Sequence, residues 1–357
     1  MPIEAIDPNF RMESIDGHEL AFLDVARAPF HLTGFPFFAG EREFCRLPKA
    51  EIPAMNSGVQ GLAWHTAGGM VRFRSDSPCV AVQAELRAPG SMNHMPRSGS
   101  SGVDLYVGQG RAKRFRKTAI PGPGVKEYSA LLFTGDAGMM REFTLNFPLY
   151  NGVRSLRVGI SPKAQMMAPS PFAIEQPILF YGSSITQGGC ASRPGNAYAH
   201  ILARWFDANL VNYGFSGSAR AEQEMARLVA RIPQSVFVYD YDHNAPNVKH
   251  LADTHVPFFR TIRQARPDLP VVMVSRPDFD GNLAESRARR EIIRTTYEQA
   301  KANGDKQVFF VDGETLFGTA DRDACTVDGC HPNDLGFMRM AEAIRPTLAK
   351  ALGGMGE

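Results

Sequence analysis

FYGSSITQGG, residues 180–189, is the stretch on which the reading of this chain turns. It continues an apolar run that begins at Ile178, then sets Ser183 and Ser184 between Gly182 and Gly188. A strand that ends in such a turn can present a reactive hydroxyl at its tip. The same residues also make an ordinary polar turn. The rest of the sequence must supply a base, an acid and an anion-stabilising group before either serine can be given chemistry.

Continuous apolar runs recur beyond this point, at residues 236–239, at Val271–Val274 and in QVFFV at 307–311. Such runs suit parallel strands buried on both faces. Between them, NAYAHILARWFD at 196–207 and the Ala-, Glu- and Arg-rich stretch 283–302 read as helices. Strand alternating with helix predicts an α/β domain over 178–357, with a parallel sheet between helices. Ligands in such sheets sit at the carboxyl ends of the strands, which is where Ser183 and Ser184 fall.

The first half has another rhythm. Val80, Val82, Ala84 and Leu86 are spaced by two, as are Phe143, Leu145 and Phe147, and Leu156, Val158 and Ile160. Period two marks strands with one wet face. Turn signals separate these runs: SDSP at 75–78, PG at 89–90 and PGPG at 121–124. Residues 41–161 are therefore expected to form an antiparallel, jelly-roll-like β-sandwich domain. Residues 1–40 read as an N-terminal arm, and 162–177, with Pro162, Pro169, Pro171 and Pro177, as a linker. No internal repeat is evident.

Composition excludes several classes. The 357 residues are 44% hydrophobic and 21% charged, as in globular domains, with a formal charge of +2 that gives no basic field for nucleic acid. No segment approaches the ~20 apolar residues of a membrane span. The first twenty residues lack a basic start and apolar core, so no secretion signal is expected. Five cysteines without CxxC spacing suggest no disulfide framework, and a cytoplasmic location is the expectation.

A serine hydroxyl needs a base to take its proton, usually histidine. Of nine histidines, His200 lies within a helical pattern, and His18 and His31 lie in the arm. His331 differs. It sits in TVDGCHPNDLGF, 326–337, ahead of a helix that starts near Asn333, with Asp328 three residues before it. A tight loop of this spacing can turn the carboxylate to one ring nitrogen and leave the other facing outward. By itself the spacing is common.

The combination resembles the SGNH or GDSL hydrolase superfamily. GSSIT at 182–186 is similar to its first block, NYGFSG at 212–217 to its second, DHNAP at 242–246 to its third, and DGCHPNDLGF at 328–337 to its last. All four follow in family order. GVDLY at 102–106 resembles the signature of a β-sandwich that precedes such domains in two-domain carbohydrate esterases. The resemblance implies a flavodoxin-like catalytic domain with Ser184 as nucleophile, His331 as general base and then acid, and Asp328 as the orienting carboxylate. The backbone N–H groups of Ser184 and Gly217 and the amide of Asn244 would form the oxyanion hole. No metal or organic cofactor is implied. Two departures stand out: Ser183 occupies the place of the usual aspartate, and DHN at 242–244 replaces the usual third block.

Competing readings remain at several positions. GFSGS at 214–218 nearly matches a nucleophile elbow and makes Ser216 the rival of Ser184. Asp240 and Asp242 could ligate a metal, or cap a strand end and brace loops. Cys190 and Cys330 lie in the nucleophile and histidine loops and read as small buried packing. Trp64 and Trp205 fit core positions, although Trp64 could stack on a sugar. The loop PGSMNHMPRSGSS, 89–101, is too long for a minimal hairpin, and His94, Met92 and Met95 are candidate substrate contacts in a wall beside Ser184. The function expected is a serine esterase that removes small acyl groups, acetyl foremost, from a carbohydrate or glycoside through an acyl-serine intermediate, with an acylated carbohydrate or other small ester as substrate and neither nucleic acid nor membrane as partner. A lipase or thioesterase for longer chains, and a silent carbohydrate-binding protein of the same fold, are the alternatives. The sequence leaves the oligomeric state open.

Overall fold

The structure is a computed structural model and describes residues 3–354. The chain divides into two compact units. One holds the chain up to Arg46, Trp64–Ala173 and Ser192–Gly195; the other holds Leu47–Ala63, Ile174–Ala191 and the chain from Asn196 onward.

The first unit is an antiparallel β-sandwich. Its strands are β1 (Arg11–Ile15), β2 (His18–Asp24), β3 (His31–Thr33), β4 (Met70–Ser75), β5 (Cys79–Leu86), β6 (Val103–Val107), β7 (Arg114–Ala119), β8 (Glu127–Thr134), β9 (Arg141–Asn146), β10 (Val153–Ile160) and β11 (Met166–Met167). One sheet runs β1-β2-β10-β5-β8, and the other β11-β4-β9-β6-β7 with β3 on β4. The period-two residues point inward as their spacing requires: Val82 and Leu86 of β5, Val158 of β10, and Phe143 and Leu145 of β9 share one core. Residues 1–40, expected as an arm, contribute three strands of this sandwich. The alternation of β2 is masked because both of its faces are buried. Ala21 and Leu23 enter the main core, while Leu20 and Phe22 join a smaller cluster with Cys79 and Ala81.

The proline-rich stretch expected as a linker is held along β4. Ser75 Oγ donates to the Gln165 carbonyl at 2.8 Å, Arg74 Nε to that of Ala168 at 2.9 Å, and Arg72 to that of Ser170 at 2.8 Å. The segment also donates, from the Gln165 N–H to Asp76 Oδ1 at 2.7 Å and from the Ser170 N–H to Glu142 Oε2 at 3.0 Å. Asp104, from the GVDLY stretch, is fully buried in β6. It accepts from Asn146 Nδ2 at 2.6 Å and from the Gly195 N–H at 2.7 Å.

The second unit is a parallel sheet of β12 (Ile174–Gly182), β13 (Ala208–Gly214), β14 (Val236–Asp240), β15 (Val271–Val274) and β16 (Val308–Val311), in the order β13-β12-β14-β15-β16. In chain order this is 2-1-3-4-5, the flavodoxin-like arrangement, whose switch point lies beside the first strand. Register levels the strand ends there, because Gly182 pairs with Gly214 on one side and Asp240 on the other. Helices Tyr198–Phe206 and Asp334–Ala351 pack together, and Gln223–Arg231, Val248–Ala265 and Leu283–Ala302 pack in series. Among the described residues, no helix is long and apolar enough to cross a membrane.

Candidate active site

The site is built at the carboxyl ends of β12, β13, β14 and β16. Immediately after β12, Ser183 is the N-cap of a single helical turn, Ser184–Gln187, and its Oγ accepts from the Ile185 N–H at 3.1 Å. Serine and aspartate are both good N-caps, so Ser183 replaces the cap that an aspartate would provide. Ser184 is the first residue of that turn, where a backbone N–H has no intrahelical partner. Gly182 is required sterically, since a Cβ there would strike Thr186 Oγ1 and the Asp240 carbonyl.

Ser184 Oγ lies 2.9 Å from His331 Nε2, and His331 Nδ1 lies 2.8 Å from Asp328 Oδ2. The loop that carries Asp328 and His331 closes on itself. Asp328 Oδ1 accepts from the N–H groups of His331 at 2.7 Å and Cys330 at 3.0 Å, and the Val327 N–H donates to the His331 carbonyl at 2.9 Å. Burial opposes ionisation of Asp328, but these N–H groups and the imidazole outweigh it and hold the carboxyl at about 2. His331 is raised above its ordinary range, first by its hydrogen bond with Cys330 and then, against burial, by Asp328. The Cys190 N–H donates to the Pro332 carbonyl at 3.2 Å, which ties the Ser184 loop to the His331 loop.

The expected oxyanion donors follow the three levelled strands. Gly217 comes three residues after β13 and Asn244 four after β14. Among the described residues, the N–H groups of Ser184 and Gly217 find no acceptor. Asn244 Nδ2 donates one hydrogen to the Phe215 carbonyl at 2.8 Å, which joins the β13 and β14 loops and leaves the second hydrogen free. Gly217 has φ +68° and nothing within 4 Å of a built Cβ, so backbone conformation requires glycine here, and protein packing does not.

Ser216 has no such surroundings. Its N–H donates to Gln187 Oε1 at 3.0 Å and its carbonyl accepts from Ser218 Oγ at 3.2 Å, and no imidazole is bonded to its hydroxyl among the described residues. Asp240 and Asp242 brace the site. Asp240 accepts from Tyr198 at 2.7 Å and Thr186 at 3.1 Å, and burial pushes it up to about 7. Asp242 accepts from the Arg276 N–H at 2.9 Å and Arg289 at 3.2 Å. Arg87 stacks over Trp64 at 4.2 Å, and Arg345 over Trp205 at 5.5 Å; both tryptophans are only half-buried. In the sandwich unit, Met95 is buried, while Met92 and His94 are partly exposed ahead of a helical turn at Arg97–Ser100.

The GDSL-like lipase/acylhydrolase family matches residues 175–349, and the N-terminal domain of SGNH-hydrolase-type esterases, GxDLY, matches 20–166. A putative GDSL-like lipase from Bacteroides ovatus is 30% identical, with a TM-score of 0.84 over 94% of this chain and 98% of its own. The chain belongs to the GDSL-like lipase/acylhydrolase family. Membership makes it a hydrolase of the esterase type. Its fold is also that of the salicylyl-acyltransferase SsfX3 from a tetracycline biosynthetic pathway (20% identity, TM-score 0.76, 94% of this chain and 99% of the other). A family two carbohydrate esterase from Clostridium thermocellum shares the fold at 16% identity, with a TM-score of 0.61 over 81% and 94% of the two chains. No curated protein matches the chain.

One constellation in this GDSL-like chain escapes sequence reasoning. From sequence, Cys330 reads as small buried packing; in the structure it is half-buried, with Sγ 3.0 Å from His243 Nε2. His243 Nδ1 lies 3.2 Å from Asp278 Oδ1. The only sequence signals are a cysteine directly before the loop histidine and a histidine in the third block. Asp278, which follows β15, carries none.

Proposed function

We propose that this protein is a serine esterase that removes small acyl groups, acetyl foremost, from a carbohydrate or glycoside through an acyl-Ser184 intermediate. The observation that carries the reading is the continuous relay from Ser184 Oγ through His331 to Asp328, with both contacts at hydrogen-bond distance. His331 Nε2 takes the hydroxyl proton as Ser184 Oγ attacks the ester carbonyl. The free N–H groups of Ser184 and Gly217 and the second amide hydrogen of Asn244 receive the developing oxyanion. His331 then returns the proton to the leaving alcohol. Water, deprotonated by the same nitrogen, releases the acid and restores the serine. Asp328 stays ionised throughout, in keeping with a carboxyl held well below neutral pH. The carbohydrate as acyl carrier is supported by the fold shared with carbohydrate esterases and by the sandwich domain that accompanies it.

A panel of aryl esters with acyl chains of two to eight carbons, set beside acetylated sugars, tests the reading. Acetyl should be turned over fastest, and Ser184→Ala should abolish hydrolysis while Ser216→Ala retains it. A serine-directed phosphonate should label Ser184. Preference for octanoyl over acetyl would refute the small-acyl assignment, and an active Ser184→Ala protein would refute the nucleophile.

A further inference from the structure

Three loops of the catalytic unit bring a second nucleophile, base and acid into line. Cys330 follows β16 and has its backbone held by Asp328; His243 follows β14; Asp278 follows β15. The sulfur faces His243 Nε2 at 3.0 Å, and the carboxylate faces the opposite ring nitrogen at 3.2 Å. One ring nitrogen thus faces the thiol and the other the acid, the arrangement of an activated cysteine. Asp278 is itself 3.6 Å from Arg276 Nε. His243 and Asp278 are largely shielded, with side chains 19% and 14% exposed, and Cys330 is half-buried where the other four cysteines are buried. A pocket of about 560 Å³ lined by Asp278, Phe279, Phe317, Val327 and Asp328 runs beside this cluster.

The electrostatics agree with the geometry. Burial would raise the Cys330 thiol, but the bonds to His243 and His331 outweigh it and bring the group below its ordinary range. Its neighbour Cys190 is the reverse case, pushed up to about 12 by burial and then by Asp328 and Cys330. Cys45, Cys79 and Cys325 are buried as well. Reactive thiolate character is thus concentrated at Cys330.

We propose that Cys330, backed by His243 and Asp278, is a modification site for low-molecular-weight disulfides, and that capping it switches off the adjoining Ser184–His331 pair. His243 Nε2 holds the thiol proton. The Cys330 thiolate attacks one sulfur of the disulfide; a new sulfur–sulfur bond forms to Cys330 and the original one breaks. The leaving thiolate carries away the electron pair and takes the proton from His243. A free thiol reverses the exchange. Capping puts bulk in the residue next to His331, beside the imidazole that serves Ser184, and removes the thiol whose influence raises that imidazole. The consequence for hydrolysis rests on the Ser184 centre proposed above, whereas the exchange itself does not.

The test incubates the full chain with oxidised glutathione and reads two quantities: the site of the mixed disulfide by peptide mass mapping, and aryl acetate hydrolysis before and after dithiothreitol. One glutathione at Cys330 is expected, with hydrolysis falling at least about tenfold in step and returning on reduction. His243→Gln should slow the capping about tenfold or more. Cys330→Ser should still hydrolyse ester but be indifferent to oxidised glutathione. Capping at another cysteine, an equal capping rate in His243→Gln, or a fully capped protein with undiminished hydrolysis would overturn the proposal. Should His243→Gln fail to fold, the pH dependence of wild-type capping decides: a midpoint below the ordinary thiol value of about 8.5 supports it, and one at or above that value overturns it. A protein that shows no esterase activity would still report its capping by mass, so failure of the esterase reading and failure of this one are separable.

Discussion

Replacing Asp328 by asparagine should harm hydrolysis more than replacing it by alanine. Asp328 Oδ1 accepts two backbone N–H groups, from Cys330 at 3.0 Å and His331 at 2.7 Å, while Oδ2 accepts from His331 Nδ1 at 2.8 Å. In Asp328→Asn the two N–H groups retain the amide oxygen, so the amide nitrogen is turned towards Nδ1. A donor there forces Nδ1 to accept, and the ring proton moves to Nε2. That nitrogen, 2.9 Å from Ser184 Oγ, then donates to the serine and cannot take its proton. Holding the wrong tautomer is worth about 10⁴-fold in kcat, or roughly 5 kcal/mol at 1.36 kcal/mol per decade. Alanine imposes no tautomer. The Asp328 side chain is 37% exposed, so water can serve both the loop N–H groups and Nδ1, and the loss should be nearer about 10²–10³-fold. His331→Ala, which removes the base itself, should cost the most, on the order of 10⁶-fold. The measurement is kcat for aryl acetate hydrolysis at pH 8, with circular dichroism as a fold control. An asparagine variant within tenfold of wild type, or one faster than the alanine variant, would refute the tautomer argument.

Three further outcomes are expected. Asn244→Ala should lower kcat by about 10²-fold or more with little change in KM if, as proposed, its second amide hydrogen serves the oxyanion; a change confined to KM would instead make it a substrate contact. Hydrolysis needs neutral His331, and the imidazole is raised above the ordinary 6.5, so the rate should fall with decreasing pH through a midpoint above 6.5. Cys330→Ser removes the largest raising contact and should move that midpoint to lower pH, read from kcat/KM against pH. In the sandwich unit, Asp104→Ala leaves the Asn146 amide and the Gly195 N–H buried without an acceptor, at about 2–5 kcal/mol and roughly 5–15 °C in the first thermal transition. Differential scanning calorimetry would show it, and an unchanged transition would remove Asp104 from that role.

Much of the architecture is legible residue by residue. The period-two spacing at Val80–Leu86 and at Phe143–Phe147 needs only the pleat of a strand to become a buried face. The continuous runs at Ile178 and Val236 need only burial on both sides. What escapes is β13: Ala208–Gly214 reads ANLVNYG, and its asparagines disguise the edge strand of the parallel sheet. Asn212 is tolerated there because its amide is fully used, donating to the Thr186 carbonyl at 2.7 Å and accepting from the Gly214 N–H at 2.8 Å. β2 is hidden for a related reason, since a strand buried on both faces does not alternate.

At the site, distance along the chain separates what sequence alone determines from what the tertiary structure decides. Asp328 and His331 are three residues apart, and a closed loop brings them together wherever it is placed, so their pairing is already present in the local sequence. Ser184 is 147 residues from His331, and both Ser184 and Ser216 stand in glycine-flanked turns after strands. Only the packing of β12 to β16 in one parallel sheet carries the histidine loop to Ser184 and leaves Ser216 bonded to Gln187. Cys330 and His243 are 87 residues apart, and His243 and Asp278 are 35 apart. Neither separation has a local signature. Side chains after three different strands meet because a parallel sheet delivers every strand's carboxyl end to the same edge, and that delivery is a property of the fold.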